Sequence, residues 1–376
     1  METIFWIGVA GCLYSYLIYP LVLMLLPKGR SQGPGLTAEI PVMSIIIVGH
    51  NEEGRIVAKL ENTLLLAYPR DRLEIIVASD ASSDGMDAIV LGYGNRSVRL
   101  VRSELRRGKE HAQLLAIAQA RGDILVFTDV GTEIPAKALM RLADRFSDPK
   151  VGAVSSEDRF VSRDGSLVGE GAYVRYEMWL RRLESQRAGL VGLSGSFFAA
   201  RRIVCDTWDD ETPSDFNAAI GCARRGLVAV TEPSVVGYYA DIKDAAMEYR
   251  RKLRTVLRGI VGLARHREAL NPLAFGLFSV QIWSHKVMRW LVPWFMLVTL
   301  ASSLLLWRSG PFFRLAASVQ LIFYTGIAAA FMAPALRRSV FLRIGYYFVQ
   351  VNVAIAHASL LFLAGRRMTV WEPSRR

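Results

Sequence analysis

Three apolar runs in the first half of the chain each end in a short polar stretch. The runs occupy residues 44–48, 73–77 and 124–128, and the polar stretches that follow them occupy residues 49–53, 78–85 and 129–132. An apolar run that ends in Ser, Asp and Gly predicts a buried parallel strand followed by a turn. Because ligands bind beyond the carboxyl ends of the strands in an open α/β sheet, the pattern predicts one site that collects side chains from all three ends.

Strand and helix patterns alternate up to about residue 155, which predicts an α/β domain with a doubly wound, mostly parallel sheet. One helix is expected to begin near Gly108, and another to cover Gly171–Ala188. The second helix carries Tyr173, Tyr176 and Trp179 at a spacing of three residues. This aromatic stripe either packs against the domain or forms the wall of a site for a sugar or a lipid.

Four long segments without a charged residue predict helices that cross a membrane. They occupy residues 3–27, 290–307, 315–336 and 345–365, and a spanning helix needs about 20 such residues. The alternative for the first segment is a cleaved signal peptide. No basic residue precedes it, and Tyr14, Tyr16, Tyr19 and Pro20 are poor signal-peptide content, which favours a span.

These segments divide the chain into five parts. We expect an N-terminal transmembrane helix at 1–27, a cytosolic α/β domain at 28–268, an interfacial amphipathic helix at 269–289, about three transmembrane helices at 290–365 and a basic tail at 366–376. Residues 28–40 are predicted to form a linker because of their Gly and Pro content. The arginines at 337, 338 and 343 favour a cytoplasmic domain under the positive-inside rule.

The tail does not fit that topology. Three spans after the domain would put the four arginines of 366–376 outside, so the tail breaks the rule, or 269–284 also crosses, or the last segment does not.

Composition supports a membrane protein with a basic surface. The chain has 376 residues, of which 52% are hydrophobic, with a mean hydropathy of +0.26 and a net charge of +12. A basic surface suits three kinds of partner, which are nucleic acid, an anionic membrane leaflet and an anionic small substrate. Helical spans beside basic clusters favour the last two, and no aromatic–basic motif supports nucleic acid. Cys12, Cys205 and Cys222 form no disulfide framework, which indicates a reducing compartment for the soluble part.

The carboxylates that follow the strands are the candidate chemical groups. Asp84 precedes a predicted helix and reads as an N-cap, whereas Asp80 and Asp129 have poorer capping context. Mg²⁺ typically takes one or two protein carboxylates together with phosphate oxygens, so Asp129 is a candidate cation ligand. Lys109 and the basic cluster 250–254 are candidates for a pyrophosphate pocket. Asp215 is either a helix N-cap or a general base.

Seven short motifs occur in an order that resembles family 2 membrane glycosyltransferases. The motifs are His50-Asn51-Glu52-Glu53, Ser79–Gly85, Arg107-Gly108-Lys109, Phe127-Thr128-Asp129, Ser194-Gly195-Ser196, Ser214-Asp215-Phe216 and Arg251-Lys252-Leu253-Arg254. The resemblance also covers Ser284-His285-Lys286 and Trp371-Glu372-Pro373. The family includes cellulose, chitin, hyaluronan and poly-N-acetylglucosamine synthases. The resemblance implies a GT-A fold, a Rossmann-like and mostly parallel sheet.

The resemblance also implies a role for each matching residue. The implied donor-binding residues are His50, Asn51 and Glu53 near the nucleoside, Asp80 at the base, Lys109 at the diphosphate, and Lys252 and Arg254 as a basic pair. Ser194, Gly195 and Ser196 match the loop that supports the acceptor sugar. Asp129 matches the first aspartate of the metal motif, which holds Mg²⁺ or Mn²⁺, and Asp215 matches the general base.

Three positions depart from the family pattern. Gly131 replaces the second metal aspartate, Ser214 replaces an acidic residue before the base, and Thr255 replaces the tryptophan that caps the acceptor site in processive synthases. Three functions therefore stay open within the resemblance. They are polymer elongation, transfer of a single sugar to a polyprenyl phosphate or another lipid, and a catalytically silent scaffold in a polysaccharide assembly.

The function expected from the sequence is an inverting, metal-dependent glycosyl transfer at the cytoplasmic face of the inner membrane. The donor is a nucleotide sugar, with UDP expected as the nucleotide, and the acceptor is a glycan or a lipid-linked molecule. Contacts with membrane lipids are expected, and nucleic acid is not. Three or four spans form a narrow conduit, so a polymer product would call for a separate export partner.

Overall fold

The computed structural model describes residues 1–29, 39–161, 172–240 and 245–368. The chain divides into two compact units. One, here called the sheet unit, comprises Leu26–Lys243, Gly262–Ser279 and Met368–Arg376. The other, here called the helical unit, comprises Met1–Leu25, Asp244–Val261 and Val280–Arg367. The linker residues 30–38, Trp371–Pro373 and most of the basic tail fall outside the described residues.

Seven strands form the sheet in the part of the chain that the structure describes. They are β1 (Met43–Gly49), β2 (Leu73–Ser79), β3 (Val98–Arg102), β4 (Ile124–Asp129), β5 (Val151–Val161), β6 (Phe197–Arg201) and β7 (Val228–Ala240). Their order across the sheet is β3-β2-β1-β4-β6-β5-β7. Every neighbouring pair is parallel except the two that involve β6, which runs antiparallel to β4 and to β5. The predicted mostly parallel α/β sheet is thus confirmed, and the inserted antiparallel strand is new.

Helices follow most of the strands. They are α1 (Glu2–Leu25), α2 (Glu53–Leu64), α3 (Met86–Gly92), α4 (Lys109–Gln119), α5 (Ala138–Phe146), α6 (Ala172–Ser185), α7 (Ser214–Arg224), α8 (Ala245–Arg265), α9 (Leu277–Leu305), α10 (Pro311–Met332) and α11 (Val340–Leu363). A short helical turn, Pro272–Phe275, precedes α9.

The central strands are buried along their whole length. All seven residues of β1 are buried, and Ile45 and Ile47 belong to a core cluster that also contains Ile56 and Leu60 of α2. A strand covered on both faces favours apolar side chains on either face, which is why β1 is a nearly continuous apolar run rather than an alternating one. The core therefore fixes the strands rigidly and leaves their carboxyl ends to carry polar groups.

The helical unit contains helices that suit a membrane. Among the described residues, α1, α9, α10 and α11 are long and apolar enough to cross one. Glycines let α1 approach α9 closely, because a Cβ on Gly11 would come within 2.6 Å of three ring atoms of Phe295. Small residues at such contacts are typical of packed membrane helices.

The structure differs from the prediction for residues 269–289. These residues do not form a separate helix, because from Leu277 onward they run without a break into the apolar helix α9. A π-helical turn, Trp283–Val287, lies inside that helix at the Ser-His-Lys motif. An interfacial position for residues 269–276 stays a prediction.

Candidate active site

The carboxyl ends of three parallel strands lie side by side, as their sequence pattern predicts. Gly49 at the end of β1 pairs with Ser79 at the end of β2. Val48 of β1 pairs with Asp129, the last residue of β4. The polar stretches after β1, β2 and β4 therefore meet at one edge of the sheet, the position at which open α/β sheets bind ligands.

The loops after β1 and β2 are locked together by the first group of predicted donor-binding residues. The Nδ1 atom of His50 lies 2.7 Å from the carbonyl oxygen of Asp80. Asn51 accepts a hydrogen bond from the backbone N–H of Ser83 at 2.8 Å, and Glu53 accepts one from Gly85 at 3.0 Å. Asn51 has a φ of 55°, a conformation that asparagine tolerates better than most residues. These three side chains build the rim of the site.

Asp80 is buried and holds the loop that leads to Lys109. Only 1% of the surface of Asp80 is exposed. One carboxylate oxygen accepts the backbone N–H groups of Arg107 and Gly108 at 2.9 and 3.1 Å, and the other accepts Gly108 at 3.0 Å. Gly108 has a φ of 103°, which a side chain would disfavour. Asp80 thus fixes the start of α4.

Lys109 joins the predicted metal ligand to the predicted acceptor loop. Its ammonium group donates to the Oδ1 atom of Asp129 at 2.5 Å and to the carbonyl oxygen of Gly195 at 2.7 Å. The backbone N–H of Asp129 donates to the carbonyl oxygen of Ser196 at 3.1 Å. The structure therefore brings Lys109, Asp129 and the Ser194–Ser196 loop into direct contact, although they are far apart in the sequence.

The loop at Ser194 rests on a polar cluster that the sequence did not reveal. The Ser194 hydroxyl donates to the carboxylate of Asp158 at 2.5 Å, and its backbone N–H donates to the Ser155 hydroxyl at 2.8 Å. Arg181 donates to the same Ser155 hydroxyl at 2.6 Å. No local sequence signal marks Asp158, since it lies inside an ordinary strand, β5.

Asp215 lies in the first turn of α7, at the side of the same loop. Its carbonyl oxygen accepts the backbone N–H of Leu193 at 3.4 Å. The neighbouring Ser214 donates its backbone N–H to the carboxylate of Glu110, the residue after Lys109, at 3.4 Å. The side chain of Asp215 is half-buried. The candidate base and the candidate diphosphate ligand are thus linked through adjacent residues.

Lys252 and Arg254 belong to the other unit. Both lie on α8, in the part of that helix that belongs to the helical unit, and both side chains are half-buried. Their predicted contact with a diphosphate stays a prediction.

One charged helix face at the site was missed by the sequence analysis. Glu52 immediately precedes α2, and Arg55 and Lys59 follow within the helix at spacings of three and four residues, so the three share a face. Lys59 is 3% exposed and donates to the Thr128 hydroxyl at 2.9 Å and to the carbonyl oxygen of Thr132 at 2.5 Å. The available signal was a lysine inside the apolar stripe of α2.

Burial shifts the pKa values on this face. Removal from water lowers the pKa of Lys59 to about 7, although the negative charges of Asp129 and Glu133 oppose the shift. Burial also raises the pKa of Glu52, and the carboxylates of Asp129 and Asp84 add to the rise against the effect of Arg55. Opposite charges therefore lie close together behind Asp129.

The residues fit a divalent cation only in part. Asp129 is a quarter exposed at its side chain, and its Oδ2 atom accepts no hydrogen bond from the described residues. In the described part of the chain, no group of three or more His, Cys, Asp or Glu side chains is arranged so that it could hold a metal ion. One carboxylate suffices for Mg²⁺ when phosphate oxygens complete its sphere. Asp129 could therefore hold a cation together with a phosphorylated ligand.

The fold is GT-A. A solved structure, the mannosyltransferase PcManGT from Pyrobaculum calidifontis in complex with GDP-Man and Mn²⁺, superposes with a TM-score of 0.74 over 97% of this chain and 99% of the other, at 24% identity. Residues 44–207 also match the family described as Glycosyl transferase family 2. The chain therefore carries a glycosyl transferase family 2 domain, which contains Asp80, Lys109, Asp129 and the Ser194–Ser196 loop.

Curated relatives match about half of the chain. The chain is 28% identical to the probable glycosyltransferase YdaM of Bacillus subtilis over 50% of its own length and 46% of the relative's. It is 29% identical to a hyaluronan synthase of Streptococcus pyogenes, over 53% and 49%. It is 24% identical to a beta-monoglucosyldiacylglycerol synthase of Trichormus variabilis, over 48% and 40%. The match covers less than half the length of each relative.

Proposed function

We propose that the protein transfers a sugar from a nucleotide-sugar donor to a glycan or a lipid-linked acceptor, with inversion at the anomeric carbon. The observation that carries the proposal is the contact of Lys109 with both Asp129 and Gly195 at the edge of a family 2 domain. Departure of a diphosphate requires positive charge, which a cation held by an acid and a fixed ammonium group can supply. Transfer of the sugar also requires a loop that holds the acceptor. The relatives include both polymer and glycolipid synthases.

The leaving group is a nucleoside diphosphate. Asp129 would hold a divalent cation, Mg²⁺ or Mn²⁺, which neutralises negative charge on the diphosphate when it is bound. Lys109 is already fixed by two hydrogen bonds and is 8% exposed at its side chain, so it can meet the diphosphate without reorganisation. We propose that Lys252 and Arg254 add positive charge there. His50, Asn51 and Glu53 would border the nucleoside.

Asp215 is the proposed general base. Its carboxylate takes the proton of the acceptor hydroxyl as that oxygen bonds to the anomeric carbon. The bond from that carbon to the diphosphate oxygen breaks on the opposite side, and its electron pair leaves with the nucleoside diphosphate. The loop Ser194–Ser196, supported by Asp158, would hold the acceptor sugar beside Asp215.

Asp215→Asn tests the base. The amide cannot take a proton, so we expect turnover to fall by about 10²- to 10⁴-fold. Nucleotide binding should stay unchanged because the amide keeps the shape of the side chain. The measurement is the release of nucleoside diphosphate from UDP-, GDP- and dTDP-sugars by purified full-length protein, with the nucleotide affinity determined in parallel.

Asp206→Asn is the matched control. Asp206 is an exposed aspartate of the same unit that pairs with Arg225 at 3.2 Å. It should leave turnover unchanged. Normal turnover in Asp215→Asn would remove this aspartate from the mechanism. Absence of release from any sugar nucleotide by the wild-type protein would favour the scaffold function instead.

A second candidate is the transfer of one sugar to a membrane lipid. Thr255 stands where the processive members of the family have a tryptophan over the acceptor. Its hydroxyl donates to the carbonyl oxygen of Arg251 within α8, and the residue is exposed. Product length on a gel separates a polymerase from a single-addition enzyme. A ladder of products would select elongation and call for an export partner.

We propose that the domain works at the cytoplasmic face of the inner membrane. Four candidate spans support a membrane location, and nucleotide sugars are made in the cytosol. Lipids of the membrane are therefore both neighbours and candidate acceptors of the enzyme.

A further inference from the structure

The turn that follows Asp129 contains a glycine that the backbone does not require. A Cβ built on Gly131 would have one neighbour within 4 Å, the Nη1 atom of Arg55 at 3.4 Å, which is an ordinary contact. The φ of Gly131 lies outside the left-handed region. A side chain therefore fits at position 131, and the absence of the second aspartate of the family pattern is a chemical feature of this site.

Arg55 faces the place that this aspartate would occupy. Arg55 lies on α2, and Lys59 lies four residues further along the same helix. Lys59 fixes α2 against the segment around Gly131, because its ammonium group donates to Thr128 and Thr132. The guanidinium group is thus held beside Gly131 by the packing of α2.

One edge of the guanidinium is held in place and the other is open. Nε donates to Glu52 at 2.7 Å and Nη2 donates to the same carboxylate at 2.6 Å. Nη1 makes no hydrogen bond to the described residues, and the Arg55 side chain is 37% exposed. A guanidinium fixed along one edge is pre-organised to bind phosphate oxygens along the other. A permanent cation therefore points to the region beyond Asp129.

We propose that Arg55 binds the diphosphate of the donor and takes the place of the second metal-binding carboxylate. The inference rests on the proposed function, because it assumes that a nucleotide diphosphate lies at Asp129. Replacing a carboxylate by a guanidinium adds positive charge to the pocket. The protein should accordingly bind diphosphates measurably even without a divalent cation, and it should bind the free cation weakly.

Removal of the Arg55 charge is the first test. Isothermal titration of the purified full-length protein with UDP, GDP and inorganic pyrophosphate is carried out with Mn²⁺ and with EDTA. In Arg55→Gln we expect affinity in EDTA to fall by about tenfold to a hundredfold for pyrophosphate and for whichever nucleotide binds. Pyrophosphate has no base, so its loss locates the effect at the phosphates. Arg55→Lys keeps the positive charge but loses the bidentate guanidinium, so its affinity should lie between those of the wild-type protein and Arg55→Gln.

Arg96→Gln is the matched control. Arg96 forms an exposed pair with Glu61 in the same unit, at 2.6 Å. The change removes one charge and breaks one Arg–Glu pair, as Arg55→Gln does, and it should leave affinity unchanged. If Arg55→Gln binds all three probes as Arg96→Gln does, the inference is wrong.

Gly131→Asp is the second test and leaves Arg55 in place. The new carboxylate should pair with Arg55 and create the second cation ligand. Affinity for Mn²⁺ alone, followed by electron paramagnetic resonance of the free ion, should rise about tenfold, while pyrophosphate binding in EDTA should weaken. Gly131→Asn matches the shape without the charge and should change neither. Equal behaviour of the two variants would overturn the inference.

The two hypotheses fail in different ways. If the wild-type protein releases nucleoside diphosphate and Arg55→Gln binds diphosphates normally, the inference fails and the proposed function stands. If the wild-type protein neither binds nor releases any nucleotide, the proposed function fails, and the inference fails with it.

Discussion

At the scale of single residues, Asp80 has more contacts than its motif indicated. Its resemblance-based role is a hydrogen bond to the nucleobase, and that role stays a prediction. In the structure both of its oxygens accept backbone N–H groups from the turn that precedes Lys109. A carboxylate has room for further hydrogen bonds, but a residue that is 1% exposed offers little access to a ligand. The turn is therefore the partner that the geometry supports.

Asp80→Asn separates the two roles. The amide presents a donor to N–H groups that need an acceptor, so the turn should loosen and Lys109 should lose its position. We expect nucleoside diphosphate release to fall by about tenfold to a hundredfold for UDP- and GDP-sugars alike. In a double-mutant cycle with Lys109→Met the two losses should not add. Asp206→Asn, at the exposed aspartate that pairs with Arg225, serves as the control. A changed preference between UDP and GDP donors with little overall loss would indicate a base contact instead.

At the scale of elements, the loop before α7 is held by the end of α8. Within the sheet unit, Arg265 donates to both carboxylate oxygens of Asp209 at 2.7 and 3.1 Å. Burial by itself would raise the pKa of Asp209, but hydrogen bonds from Arg265, Glu211 and Thr212 together hold it below its usual value. His266 lies beside this pair and receives a hydrogen bond from Arg224 at 2.9 Å on Nδ1, so its proton is on Nε2. The loop that leads to Asp215 is therefore fixed by long-range ion pairs.

This network predicts an acid-sensitive stability. Burial and the neighbouring Arg224 and Arg265 charges lower the pKa of His266 below 6.5, against the pull of Asp209 and Glu268. On acidification the unfolded chain takes up this proton before the folded chain does. The contribution of neutral His266 to the free energy of unfolding is therefore complete above pH 6.5, and it is lost as the pH falls from there through the lower pKa of the folded state. Thermal unfolding of the wild-type protein should therefore shift to lower temperature on acidification from about pH 7.5 to pH 5, and His266→Gln should flatten that part of the curve. Parallel curves for the two proteins would contradict the assignment.

At the scale of the whole molecule, the number of spans determines which side each loop faces. Among the described residues, 277–305 form one helix, so no separate candidate span lies at 269–284. If α1, α9, α10 and α11 all cross, the loop after α10 faces the same side as residues 26–276, and the C-terminal tail faces the other. If residues 26–276 are cytoplasmic, as we propose, the basic tail breaks the positive-inside rule, which the first spans usually dominate.

Cysteine labelling tests this topology. In a chain whose native Cys12, Cys205 and Cys222 are replaced by alanine, a membrane-impermeant maleimide is added to intact spheroplasts. We expect Arg375→Cys to react at once and Arg338→Cys to react only after lysis. The two positions are matched because both replace an arginine near the end of a span. Labelling of both from the same side would mean that α11 does not cross.

The sequence by itself determined the local elements and the order of the motifs. Mostly apolar runs predicted β1, β2 and β4, because strands covered on both faces consist mainly of apolar residues, and uncharged stretches predicted the four candidate spans. These features depend on neighbours in the chain. Asp129 and Lys109 could be chosen for the same reason, since their position at the end of a strand or the start of a helix is a local property.

Only the tertiary structure decided which side chains meet. The antiparallel β6 between β4 and β5 brings the Ser194–Ser196 loop to Asp129, and no periodicity in the sequence encodes that insertion. Arg55 lies beside Gly131, and His266 lies beside Asp209, across separations of dozens of residues. Such contacts depend on strand order and helix packing, which many residues settle together. The motifs therefore predicted a site, but the position of the Arg55 charge beside Gly131 could be seen only in the folded chain.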